Sequence, residues 1–150
     1  MARPKKLKNN DEVTVVNNTV GKLIYISNKT GFQMVLDGYG AIDKIPFGEL
    51  ITMKSSQPKF INDAWLIILD EEAIKQLKLE KQYENIIKPD DLDSFYDLND
   101  KKMGEMLDNM PNQMKETIAK ITKQKIENRE LNDLFKIKLI EEKLGIELLS

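Results

Sequence analysis

Hydrophobic and polar residues alternate over the first 69 positions in short bursts, each stopped by Asn, Asp or Gly. Val13-Thr14-Val15-Val16 is a β-branched run closed by the turn-prone pair Asn17-Asn18. Residues 22–26 follow Gly21 and stop at Asn28-Lys29-Thr30-Gly31. Residues 32–36 stop at Asp37-Gly38, and a further run from 41 to 45 ends before Pro46. Short strands at this spacing predict a small antiparallel sheet or barrel. Five of the seven glycines fall before residue 49, where tight turns need them. Phe47 to Met53 predicts one or two helical turns that bring Phe47, Leu50 and Ile51 together. Trp65-Leu66-Ile67-Ile68-Leu69 is the most hydrophobic stretch and predicts a central strand with Trp65 packed inside.

At Asp70-Glu71-Glu72 the pattern changes. Acids here suit a helix N-terminus, where they face the positive end of the helix dipole. Beyond it apolar residues recur at three- and four-residue steps. Ile74 and Leu77 mark one short helix; Tyr83, Ile86 and Ile87 mark another before Pro89. Leu92, Phe95 and Tyr96 share a side of the next, and Met103, Met106, Leu107 and Met110 form a further one stopped by Pro111. The strongest helix runs from Pro111 to about Asn128 through Met114, Thr117, Ile118 and Ile121. Leu134, Ile137, Ile140, Leu144 and Leu148 mark the last, with Gly145 as an interruption or cap. The expected fold class is α+β: a small antiparallel β-barrel of SH3-like type over 11–69, then a helical domain over 70–150 ending in a helical hairpin. Residues 1–10 form a basic arm.

Composition narrows the chemistry. The chain has neither histidine nor cysteine, so it lacks the side chain that titrates most readily near neutral pH, the soft metal ligand and the easy nucleophile. What remains are carboxylates, lysines and hydroxyls in no recognisable constellation. No catalytic, cofactor-binding or metal-ligating residue is assigned, and a non-enzymatic protein is expected. Without an apolar run near the roughly 20 residues of a membrane span, or one behind the first basic residues, no membrane role and no secretion are expected. The net charge of −2 hides segmentation. Residues 1–10 carry four positive charges and no negative ones, whereas residues 70–108 hold twelve acids against six bases.

Five features compete for function. Arg3, Lys5, Lys6 and Lys8 form an arm that either touches phosphates or is a solvated tail. Four cations release few counterions, so binding through them would be salt-dependent and unspecific. The C-terminal pair of helices around Glu130-Leu131-Asn132-Asp133 has helix-turn-helix spacing, but its second helix mixes Lys136, Lys138 and Lys143 with Glu141 and Glu142 and lacks an Arg or Gln array for base edges. Asp90, Asp91, Asp93, Asp97 and Asp100 lack a calcium-loop pattern and read as helix caps or a solvated face. Asn28-Lys29-Thr30-Gly31 is a hairpin turn rather than a phosphate loop, which needs a strand before it and a helix after. Among the aromatics and methionines, most read as core, with Tyr25 and Tyr39 the candidates for exposure and the methionines an adaptable docking face.

The small sheet, short helices and final hairpin together resemble uncharacterised structural or assembly proteins of tailed bacteriophages. The parts that carry the likeness are Val13-Thr14-Val15-Val16-Asn17, Gly21-Lys22-Leu23-Ile24-Tyr25, Gly48-Glu49-Leu50 with Met53, Pro58-Lys59-Phe60 leading to Trp65-Leu66-Ile67-Ile68, and the ending from Ile137 to Ile146. The resemblance implies a particle-associated role in host cytoplasm or virion, with other protein subunits as partners. The barrel edge, the C-terminal helices and the arm are the expected contact surfaces. The alternative is a nucleic-acid-binding regulator using Arg3, Lys5, Lys6 and Lys8 with the barrel face.

Overall fold

β1 (Glu12–Asn17) organises the computed structural model, which describes residues 6–149. It lies between β4 (Ile42–Pro46) and β5 (Leu66–Ile68), antiparallel to both, with Val15 opposite Asp43 on one side and Ile68 on the other. β2 (Lys22–Ile26) and β3 (Gln33–Asp37) form a separate antiparallel pair. All five expected strands are present, because each run of alternating or β-branched residues ends at a residue suited to a turn. Gly31 and Gly38 hold φ of 76° and 95° at two of these turns, a region open to glycine without steric cost.

The α+β class is as expected; one expectation is corrected, and a second is met only in part. The apolar run near residue 66 is not a central strand: β5 is an outer strand of three residues, all buried, and its lack of alternation reflects burial on both faces. The ladders also do not close into a barrel. The β2–β3 hairpin joins β1 through a side chain rather than a backbone ladder. The Asn17 amide nitrogen donates to the carbonyls of Gly21, Leu36 and Gly38 at 2.7, 3.1 and 2.9 Å. Its Oδ1 accepts from the Thr19 backbone at 2.8 Å. Asn17 and Asn18, read from sequence as a turn pair, are both fully buried.

The two faces of β1 and β5 serve different cores. Val13, Val15, Leu66 and Ile68 pack with Leu23, Tyr25, Leu36, Ile45 and the inner side of α1 (Phe47–Ser56). Val16 and Ile67 point the other way, into a core with Phe95, Met103, Leu107, Met114, Ile118, Ile137 and Ile140. Core membership does not change at residue 70: Ala73, Ile74, Leu77 and Leu79 complete the first core, while Ala64 belongs to the second. Asn18 links the sheet to the helices. Its backbone carbonyl accepts the Thr117 hydroxyl, and its side chain donates to Ala64 at 2.8 Å.

The helices are α2 (Lys59–Asn62), α3 (Glu71–Gln76), α4 (Glu80–Tyr83), α5 (Leu92–Tyr96) after a 3₁₀ turn at Pro89–Asp91, α6 (Asp100–Asn109), α7 (Asn112–Glu127) and α8 (Leu134–Leu144). Asp70, Asn99 and Asp133 cap α3, α6 and α8 by accepting hydrogen bonds from first-turn amides. Gly145 ends α8 in the left-handed conformation, the cap role its position suggested. Among the described residues, no helix is long and apolar enough to cross a membrane.

Candidate interaction surfaces

The β2–β3 hairpin buries one face and presents the other. Leu23, Tyr25, Met34 and Leu36 point into the first core, so Lys22, Ile24, Ile26, Gln33, Val35 and Asp37 point outward. Ile24, Ile26 and Val35 are 51%, 49% and 53% exposed, and Ile24 stands directly opposite Val35. Exposed aliphatic groups clustered in one place mark interaction sites more often than scattered ones do. Leu23-Ile24-Tyr25-Ile26 is apolar on both faces, so its pattern does not say which face goes in. The structure decides it through Tyr25, which is fully buried and so is no longer a candidate for exposure. Its ring meets Phe60 edge-on at 5.4 Å, and its hydroxyl lies 3.4 Å from Glu49 Oε2. Burial raises the Tyr25 pKa, and the nearby Glu49 carboxylate adds to the shift.

Glu49 is a buried carboxylate on α1 that also accepts the Thr30 hydroxyl from the hairpin turn. The turn is thereby fixed to the body of the protein, and the outer face is presented on a rigid support. Sequence reading missed Glu49. The available signal was an acid flanked by Phe47 and Leu50 on the buried side of α1.

The basic arm is only partly within the described chain. Arg3 and Lys5 lie outside the described residues, whereas Lys6 and Lys8 are exposed. Between them, the Leu7 amide donates to Gln76 Oε1 at 2.6 Å. Gln76 lines a cleft of about 560 Å³ between α1 and α3, together with Phe47, Ile51, Lys54 and Lys78. Folding therefore brings Leu7 to a side chain that shares this cleft with two lysines from distant parts of the sequence. Lys78 follows α3 with φ of 59°, which places its charge just past the helix C-terminus. The Lys54 ammonium donates to the Leu77 carbonyl nearby.

The C-terminal hairpin exposes Leu134 and Phe135 at the first turn of α8, Phe135 to 81%. Behind that turn, Lys125 lies 5.0 Å from the Tyr96 ring centroid and 3.3 Å from Asp93. The Lys136 ammonium donates to the Tyr96 carbonyl. Of the four methionines between residues 103 and 114, Met103, Met110 and Met114 are buried in the second core and Met106 is half-buried against it, so they read as core filling. Of the acids at 90, 91, 93, 97 and 100, none accepts a capping hydrogen bond, and all are exposed. Among the described residues, no group of three acidic side chains is placed to hold a metal ion. Tyr39 is half-buried; its hydroxyl is enclosed without a hydrogen-bond partner, and desolvation pushes its pKa up to about 12.

Compared with known proteins, the chain matches no family model, no curated protein and no solved structure.

Proposed function

We propose that this protein is a non-enzymatic structural or assembly protein of a tailed-bacteriophage particle, working by protein–protein contact in host cytoplasm or virion. One observation carries the reading. Ile24, Ile26 and Val35 stand half-exposed on the outer face of a hairpin whose turn is held down by the buried Glu49. A rigid apolar face is what a contact surface requires and what an isolated soluble chain would avoid. The missing histidine and cysteine, and the resemblance noted above, support the same conclusion. We also read the two sheets as an open form of an SH3-like barrel, with Asn17 as the corner where β1 meets the hairpin.

Quantitative mass spectrometry of particles purified from infected cells tests the role. The chain is expected at a fixed ratio to the other subunits. Its absence from particles and from their assembly intermediates overturns the proposal.

A second reading rests on the cleft lined by Lys54, Gln76 and Lys78, where Gln76 holds the backbone of Leu7 between Lys6 and Lys8. A nucleic-acid binder would use these cations against phosphates. Titration of a duplex at two salt concentrations decides it. Binding with a steep salt slope, weakened both by Lys78→Glu and by deletion of residues 1–10, favours this reading. No binding at low salt eliminates it.

A further inference from the structure

We propose that the outer face of the β2–β3 hairpin is a homodimer interface, with two copies stacked face to face about a two-fold axis parallel to the strands. The inference rests on the protein-contact reading and names the partner as a second copy of this chain. The argument is charge complementarity fixed by register. Lys22 stands directly opposite Asp37, Ile24 opposite Val35 and Ile26 opposite Gln33. A two-fold axis along the strands lays β2 of one copy over β3 of the other. Lys22 then meets Asp37 of the partner copy, twice by symmetry, and Ile24 meets Val35. An axis across the strands would instead set Lys22 over Ile26, leaving the ammonium without a polar partner, and Asp37 over Gln33, whose neutral amide replaces the opposite charge. The first arrangement sets charge against opposite charge and Ile24 against Val35, and lays Ile26 over Gln33.

Both charges are free to be used this way. Among the described residues, the ion pairs involve only Lys125 and Lys143, so no pair joins Lys22 to Asp37 within the chain. All six outward positions are exposed, and no segment of the described chain covers them. Sheets stacked face to face pack at about 10 Å with side chains interdigitating. Six residues per copy offer less than the roughly 800 Å² per partner of a stable interface. The dimer is therefore weak and depends on concentration, which suits a subunit that assembly brings to high local density.

Sedimentation equilibrium of the full chain over a range of concentrations tests this. Wild type is expected to dimerise reversibly, and Ile24→Asp to remain monomeric with an unchanged circular dichroism spectrum. Lys22→Asp and Asp37→Lys should each weaken self-association by about tenfold or more. Mixed in equal amounts, those two variants should form a heterodimer, because Asp at 22 then faces Lys at 37 and Lys22 still faces Asp37. Effects inside one hairpin cannot produce that rescue. A monomeric wild type at every concentration, or a mixture that does not associate, overturns the inference. If the monomeric chain is nonetheless found in particles, the inference falls while the contact reading stands.

Discussion

Asn17 does at the level of one residue what a strand ladder does elsewhere. Its amide satisfies three carbonyls from two turns and from β3, so removing it leaves buried acceptors unpaired. Asn17→Ala is expected to cost about 3 kcal/mol, measured by urea denaturation. Glu49 is the second such residue. Glu49→Ala should free the hairpin turn, seen as faster amide exchange at residues 27–31 than in wild type. Lys78 and Arg129 hold positive φ after α3 and α7 without being glycine. Lys78→Gly should therefore raise stability by about 0.5–1 kcal/mol by chemical denaturation. The tyrosines set a pH limit. Burial raises Tyr39 and Tyr96 to about 12 from an ordinary value of 10.0, with desolvation the main cause in both. A raised folded pKa means that the fold favours the neutral phenol. Its contribution is intact below pH 10 and is lost as pH rises through 12, which tyrosinate absorbance and melting temperature recorded together would show.

Elements were the most legible scale. Strand positions follow from alternation and turn residues, and most helix positions from three- and four-residue spacing, because both periods come from backbone geometry; Ile86 and Ile87, expected in a helix, follow α4 outside it, and Leu148 lies beyond α8. What remained hidden depends on the third dimension. Residues 23–26 are apolar on both faces, and only the meeting of Tyr25 with Phe60 and Glu49 selects the buried one. The run around Ile67 is buried from both sides, so its sequence looks like that of a central strand although it pairs on one side only. Asn17-Asn18 has turn composition, yet its side chains supply structural hydrogen bonds inside the protein. The contact of Leu7 with Gln76, at the cleft that Lys54 and Lys78 also line, required the fold, since 69 residues separate the two. At this scale, Asp133→Ala should lower stability by about 1 kcal/mol, because the carboxylate caps α8 through Phe135 and Lys136. Thermal denaturation of the variant against wild type measures it.

The whole molecule is built around β1 and β5, each facing one core on either side. Ile67 is fully buried between the sheet and the helices, and Ala73 to Leu79 finish the core begun by the strands. The two cores therefore share a wall and should lose structure together. Ile67→Ala is expected to cost about 2–5 kcal/mol while leaving a single unfolding transition by calorimetry. With its internal order set this way, the protein turns the apolar face of Ile24, Ile26 and Val35 outward, and contact through that face is its proposed mode of action. The most direct measurement compares the recovery of tagged wild type and of Ile24→Asp/Val35→Asp in particles purified from infected cells. Wild type should be incorporated and the folded double variant should remain in the unassembled fraction; equal incorporation of the two would contradict the account.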